Sequence, residues 1–268
     1  MQNLTMTLKS TLLSTQLKSI LLPLVITGLS CPLLIRWAPI FRLFDRPQDS
    51  SRKIHHRVKP LGGTAILLGL LPILFLYETS PIPLIFAILV VFLTGLIDDI
   101  RGLTPRSKLL LHILAAVLVI AFQPIPPTHI QITPDLGISL SGIPNLILVG
   151  FWLVGGINAY NLIDGLDGLA TGVGILAIFP LIILSFGHAH FMLLGGLGGG
   201  LLGILFYNFY PAKLFLGDGG SYLLGFLVSY LVIHGLSVLP AYSGKWPLLV
   251  GILLLGIPVI DTTLAIVR

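Results

Sequence analysis

Charge is what this chain has least of. Asp, Glu, Lys and Arg make up 9% of its 268 residues, against roughly 25% in soluble proteins. A soluble globule of this length would lack the polar side chains to cover its surface, so that class is excluded. Cysteine is almost absent as well. Cys31 stands alone, which rules out an intrachain disulfide, a CxxC redox pair and a cysteine zinc cluster. It lies in an apolar stretch and reads as a packed or lipid-facing residue. Alternating ten-residue strands are missing, which argues against a membrane barrel, and no internal repeat is evident.

What is present is apolar. Hydrophobic residues make up 55% of the chain and the mean hydropathy is +1.02, so the chain reads as an integral membrane protein. Apolar runs between short polar breaks predict an all-α, polytopic fold with nine spanning helices, at 17–39, 61–79, 81–98, 108–123, 144–162, 169–187, 189–207, 219–236 and 246–264. The first apolar run is too long and too poorly flanked for a cleaved signal peptide. Basic residues fall mainly on one side. The loop at 42–60 carries Arg42, Arg46, Arg52, Lys53, Arg57 and Lys59, and later breaks carry Arg101, Arg106, Lys108 and Lys213. The opposite breaks at 79–81, 124–143 and 187–189 have no Lys or Arg and that at 237–245 has only Lys245, although Lys9 and Lys18 run against the trend. The positive-inside rule therefore places the ends of the odd-numbered helices in the cytoplasm.

The acids follow the same side. Of the 10 carboxylates, only Glu78 and Asp135 lie on the other face. Acids hardly influence topology, so their convergence at one membrane boundary points to a site. "LTGLIDDIRGL" (93–103) sets Asp98 and Asp99 side by side at the end of an apolar run. Buried carboxylates are costly, and adjacent like charges raise each other's pKa. Neighbours on a helix point about 100° apart, so the two cannot face one point equally. "NAYNLIDGLDGLATG" (158–172) repeats Asn158, Asn161, Asp164 and Asp167 every three residues, one polar stripe on a helix. "YNFYPAKLFLGDGGSYLLG" (207–225) sets Asp218 just before a helix, either as an N-cap or as a metal-binding carboxylate whose neighbouring N–H groups face a phosphate. Lys213 is a further phosphate partner. The loop with Asp45, Arg46, Lys53, His55, His56 and Lys59 reads either as a topology anchor or as a binder of an anionic headgroup or nucleotide.

Hard carboxylate oxygens without soft ligands suit Mg²⁺, with Mn²⁺ as the substitute, rather than zinc. Acids and bases together at a membrane surface point to metal-dependent chemistry on a phosphorylated substrate with a lipid half. Other features carry less. "GGLGGGLLG" (195–203) reads as close helix packing, His188 and His190 as a wet loop, and His112 and His234 as hydrogen-bonded structural residues.

Together the segments "DRPQDSSRKIHHRVKPLGG" (45–63), "DDIRGLTPRSK" (98–108), "NAYNLIDGLDGLATG" (158–172), "PAKLFLGDGGS" (211–221) and "PVIDTTLAIVR" (258–268) resemble the polyprenyl-phosphate N-acetylhexosamine-1-phosphate transferase superfamily. The first is closer to the UDP-GlcNAc branch than to the phospho-MurNAc-pentapeptide branch, which remains the alternative. The resemblance implies transfer of a sugar phosphate from a UDP-sugar to undecaprenyl phosphate with release of UMP, dependent on Mg²⁺. It implies a cytoplasmic-face site in a bacterial inner membrane and no nucleic-acid partner; the oligomeric state stays open, with a homodimer as one form. By match to the motifs, Asp218 is the metal ligand, and Asp98, Asp99, Asp164 and Asp167 are catalytic. Asn158, Asn161, Lys53, His55, His56, Lys59, Lys108, Lys213 and Asp261 bind substrate. The family continues past the last segment into a histidine-rich loop. The expectation is therefore a single transmembrane catalytic domain over 1–268, truncated at its C-terminus. A secondary transporter would place its acids near the midplane in inverted repeats, and an aromatic prenyltransferase would space its aspartates more widely. A non-catalytic membrane homologue is the non-enzyme alternative.

Overall fold

The computed structural model describes residues 2–38, 60–76, 82–133, 136–188, 191–237 and 256. Among them, eight apolar runs fold as helices: α1 (Gln2–Trp37), α2 (Gly62–Leu76), α3 (Ile82–Arg101), α4 (Pro105–Phe122), α5 (Gly142–Ile163), α6 (Leu169–Leu184), α7 (Phe191–Asn208) and α8 (Gly217–Ser237). Of the ninth expected helix, 246–264, only Gly256 is among the described residues. The first begins well before residue 17, because the polar N-terminal segment continues the helical turn.

Among the described residues, five helices are long and apolar enough to cross a membrane: Ser10–Trp37 of α1, then α3, α4, α5 and α7. The apolar helices α2 and α6 are shorter. Large side chains such as Leu110, Phe151, Leu176 and Phe206 point outward, as a lipid-facing surface requires.

The all-α expectation holds, with one small addition in the break at 124–143. Strands β1 (Thr128–Thr133) and β2 (Leu136–Leu140) pair antiparallel, with Thr128 opposite Leu140 and an irregularity between Gln131 and Thr133. Thr-His-Ile-Gln-Ile-Thr alternates polar and apolar residues, the strand period. Asn145 ties the hairpin to α5, donating to the Pro126 carbonyl and accepting from the Thr128 N–H.

At the centre stands α8, buried on all sides from Gly219 to Val232 and packed against α2, α3, α5 and α6. Small residues let its neighbours come close. A Cβ at Gly95 of α3 would lie 2.3 Å from the Asp218 carbonyl, and one at Gly63 of α2 would lie 2.3 Å from the Gly220 nitrogen. Two backbone bonds, from the Gly62 N–H to Phe215 and from the Gly63 N–H to Leu216, fasten the start of α2 to the segment that leads into α8. The 195–203 glycines pack as their spacing suggests. A Cβ at Gly199 would lie 2.1 Å from the Ile20 carbonyl of α1.

Candidate active site

The site begins at the turn between α3 and α4. Gly102 takes a left-handed φ of 75° and its N–H returns to the Asp98 carbonyl, which ends α3. Thr104 caps α4 by accepting from the Ser107 N–H, and Pro105 opens the helix. Stop, turn and restart are thus written in "RGLTPRSK", and they bring Lys108 back over Asp98.

The adjacent acids have separate partners. Asp98 is buried. It accepts from the Leu103 N–H at 2.7 Å and from the Tyr222 hydroxyl at 3.1 Å, and it is ion-paired with Lys108. Asp99 turns to the first turn of α8. Its two oxygens accept from the Asp218 N–H at 3.1 Å and the Gly219 N–H at 3.2 Å. It is therefore Asp99, reaching over from α3, that satisfies two of the orphan donors of α8. Asp218 does not act as their cap, and these two N–H groups face Asp99 rather than a phosphate.

That leaves the Asp218 side chain for other work. Asn161 donates to it at 2.8 Å and also reaches Ser221 at 3.2 Å. Its carboxyl lies within hydrogen-bonding reach of Asp98. Asp218 stands ahead of the apolar run of α8. Burial, and after it the Asp98 carboxyl, push its carboxyl up to about 6. Two carboxyls so close need a proton or a cation between them. Hard oxygens suit a divalent ion such as Mg²⁺, which takes one or two protein carboxylates and fills its remaining positions with water and phosphate. Among the described residues, no three His, Cys, Asp or Glu side chains form a ready-made cage.

The polar stripe of α5 divides. Asn161 enters the site. Asn158 sits behind it, donating to the Val154 carbonyl and lying 3.4 Å from Nδ1 of His112. Asp164 closes α5 at its C-terminus. Asp167 accepts from the Ala212 N–H at 2.9 Å and so holds the turn that carries the exposed Lys213. Thr171 and Asn208 brace the same turn, Asn208 donating to the Leu214 carbonyl. Lys53, His55, His56, Lys59 and Asp261 lie outside the described residues. Tyr222 is the site residue that sequence reasoning missed. Its signal was the four-residue step from Asp218, one turn along the same helix face, but a tyrosine inside "SYLLGFLVSYLV" reads as core.

Apolar helices long enough to cross a bilayer, with carboxylates, a lysine and an amide gathered where those helices end, define a polytopic membrane protein with a cluster of charged and polar side chains at one end. Residues 81–236 match the family model described as Glycosyl transferase family 4, and the chain belongs to that family of transferases. It is similar to the "Probable undecaprenyl-phosphate N-acetylglucosaminyl 1-phosphate transferase" of Bacillus subtilis, at 32% identity over 93% of this chain and 69% of the relative. It is also similar to proteins named phospho-N-acetylmuramoyl-pentapeptide-transferase. The one from Streptococcus pyogenes is 34% identical over 71% of this chain and 61% of its own length. The one from Staphylococcus aureus is 34% identical over 76% and 72%. The chain thus spans about two thirds of the length of these relatives.

Proposed function

We propose that this protein transfers N-acetylglucosamine 1-phosphate from UDP-GlcNAc to undecaprenyl phosphate and releases UMP, the first lipid-linked step of a cell-envelope glycan. An oxygen of the lipid phosphate attacks the β-phosphorus of the nucleotide sugar. A new P–O–P bond forms as the bond to UMP breaks. The carrying observation is the Asp98–Asp218 carboxyl pair with Lys108 beside it, in a chain similar over 93% of its length to the GlcNAc-1-phosphate transferase relative. That relative supports the GlcNAc reading, as does the "KPLGG" stretch at 59–63.

In this reading Asp218 and Asp98 hold Mg²⁺, with Mn²⁺ as a substitute. The ion supplies charge neutralisation for the diphosphate and the departing UMP. Asn161 orients the Asp218 carboxylate, and Lys108 balances the charge on Asp98. Asp99 works one step back by fixing the start of α8. The lipid phosphate has a second pKa near ~6 and is mostly dianionic at pH 7, so the residues need to position it more than deprotonate it. The chain is then a single catalytic domain of nine spans in a bacterial plasma membrane, with the site at the cytoplasmic face and the first basic loop, including Lys53, His55, His56 and Lys59, as the nucleotide side. Radiolabelled UDP-GlcNAc, undecaprenyl phosphate and Mg²⁺ with the protein in nanodiscs test this. The expected result is a lipid-linked label and stoichiometric UMP, both lost on chelation. Transfer from UDP-MurNAc-pentapeptide and not from UDP-GlcNAc would overturn the sugar assignment.

A further inference from the structure

We propose that Tyr222 is a positioning residue of this site: its hydroxyl holds Asp98 in register with Asp218, and His112 and Asn158 hold Tyr222. The proposal rests on the transferase reading and deepens it. Tyr222 is 1% exposed and donates to Asp98 at 3.1 Å. A buried tyrosine normally finds a partner for its hydroxyl, but this partner already has Lys108 and the Leu103 N–H. The charge on Asp98 is met without Tyr222; what the hydroxyl adds is direction.

The geometry makes that direction matter. From α3, Asp99 takes the N–H groups of Asp218 and Gly219. From α8, one turn past Asp218, Tyr222 returns a hydrogen bond to Asp98. The two clasps run in opposite directions across the α3–α8 contact and flank the Asp98–Asp218 pair. Behind Tyr222, the His112 ring packs edge-on at 4.6 Å and 78°, and the Asn158 amide lies 3.4 Å from Nδ1 of that ring. His112 is fully buried. The ring of Tyr222 therefore cannot swing without displacing a packed imidazole on α4 and an amide on α5.

The test is Tyr222→Phe in nanodiscs, which keeps the ring and removes the hydroxyl. Misplacing a reacting group by an ångström costs up to about a hundredfold. The expected result is a kcat roughly ten- to a hundredfold lower, with the KM for UDP-GlcNAc unchanged and a melting temperature close to that of the wild type. Mn²⁺ affinity, read by electron paramagnetic resonance without substrate, weakens in the same variant. Wild-type kcat together with wild-type Mn²⁺ affinity would overturn the proposal. So would a raised KM at unchanged kcat, because that marks a substrate contact. If the variant does not fold, His112→Leu replaces it, with a smaller kcat loss expected at constant KM; full kcat there would overturn the proposal too. A wild-type protein that binds Mn²⁺ but transfers no sugar phosphate sinks the transferase reading alone, and the Mn²⁺ shift of Tyr222→Phe then decides the role of Tyr222.

Discussion

Asp98 and Asp99 share a peptide bond but no donor: the Leu103 N–H and the Tyr222 hydroxyl serve one, the Asp218 and Gly219 N–H groups the other. The 100° between adjacent helical side chains sends one toward Lys108 and the other toward the α8 backbone. Their substitutions should therefore fail differently. Asp99→Leu removes two acceptors from the first turn of α8 and costs about 1–2 kcal/mol of stability. Asp99→Asn retains one acceptor and should fall between that variant and the wild type. Thermal unfolding in detergent, followed by tryptophan fluorescence, ranks the three. An Asp99→Leu protein as stable as the wild type would remove the capping role. Lys108→Met leaves Asp98 buried beside Asp218 without its cation. Because Lys108 is itself partly exposed, the cost is about 1–2 kcal/mol rather than that of a fully buried pair. Stability should return in part when Asp98→Asn is added, since the uncompensated charge is then gone. That the site holds acids was legible in the sequence, because a carboxylate at the end of an apolar run costs too much to be idle. The division of labour was not legible, because it depends on how α3 is rotated and how near α8 lies.

At the scale of elements, that nearness comes down to small residues. Gly95→Ala would drive a Cβ to 2.3 Å from backbone atoms of Asp218. Backbone cannot give way as a flexible side chain can, so α3 and α8 must separate, and with them the two acids. Gly155 of α5 faces open space, with nothing within 4 Å of its would-be Cβ. Gly155→Ala should be neutral or mildly stabilising, by up to about 1 kcal/mol from helix propensity. Yield and monodispersity on size-exclusion chromatography should separate the two variants. A monodisperse Gly95→Ala protein with wild-type activity would show that the α3–α8 spacing is not what positions the site. The helices were legible element by element, because each is a continuous apolar run closed by Gly, Pro or charge. The hairpin was not. Its alternation covers too few residues to stand out among breaks that are otherwise turns, and its pairing shows only when the chain is folded back.

For the molecule as a whole, the site and the basic turns share one end. Arg101 ends α3, Arg106 and Lys108 open α4, Lys213 follows α7, and Asp164 with Gly165 follows α5. The hairpin and the start of α5 lie at the other end, where 124–143 holds no Lys or Arg. In the proposed reading, the positive-inside bias orients the molecule with its site toward the cytoplasm, where a nucleotide sugar is within reach. The lone Cys31 is fully buried, which makes it a quiet background for single-cysteine labelling. Gly165 and Ser139 are exposed, one at each end. In intact right-side-out cells or spheroplasts, a membrane-impermeant maleimide should label Ser139→Cys and spare Gly165→Cys. In inverted vesicles the pattern should reverse. Equal labelling of both in intact cells would mean that the two ends are not separated by a bilayer. The reverse pattern would put the carboxylates on the outer face, away from any cytoplasmic nucleotide sugar, and would count against the proposed reaction independently of any assay of transfer.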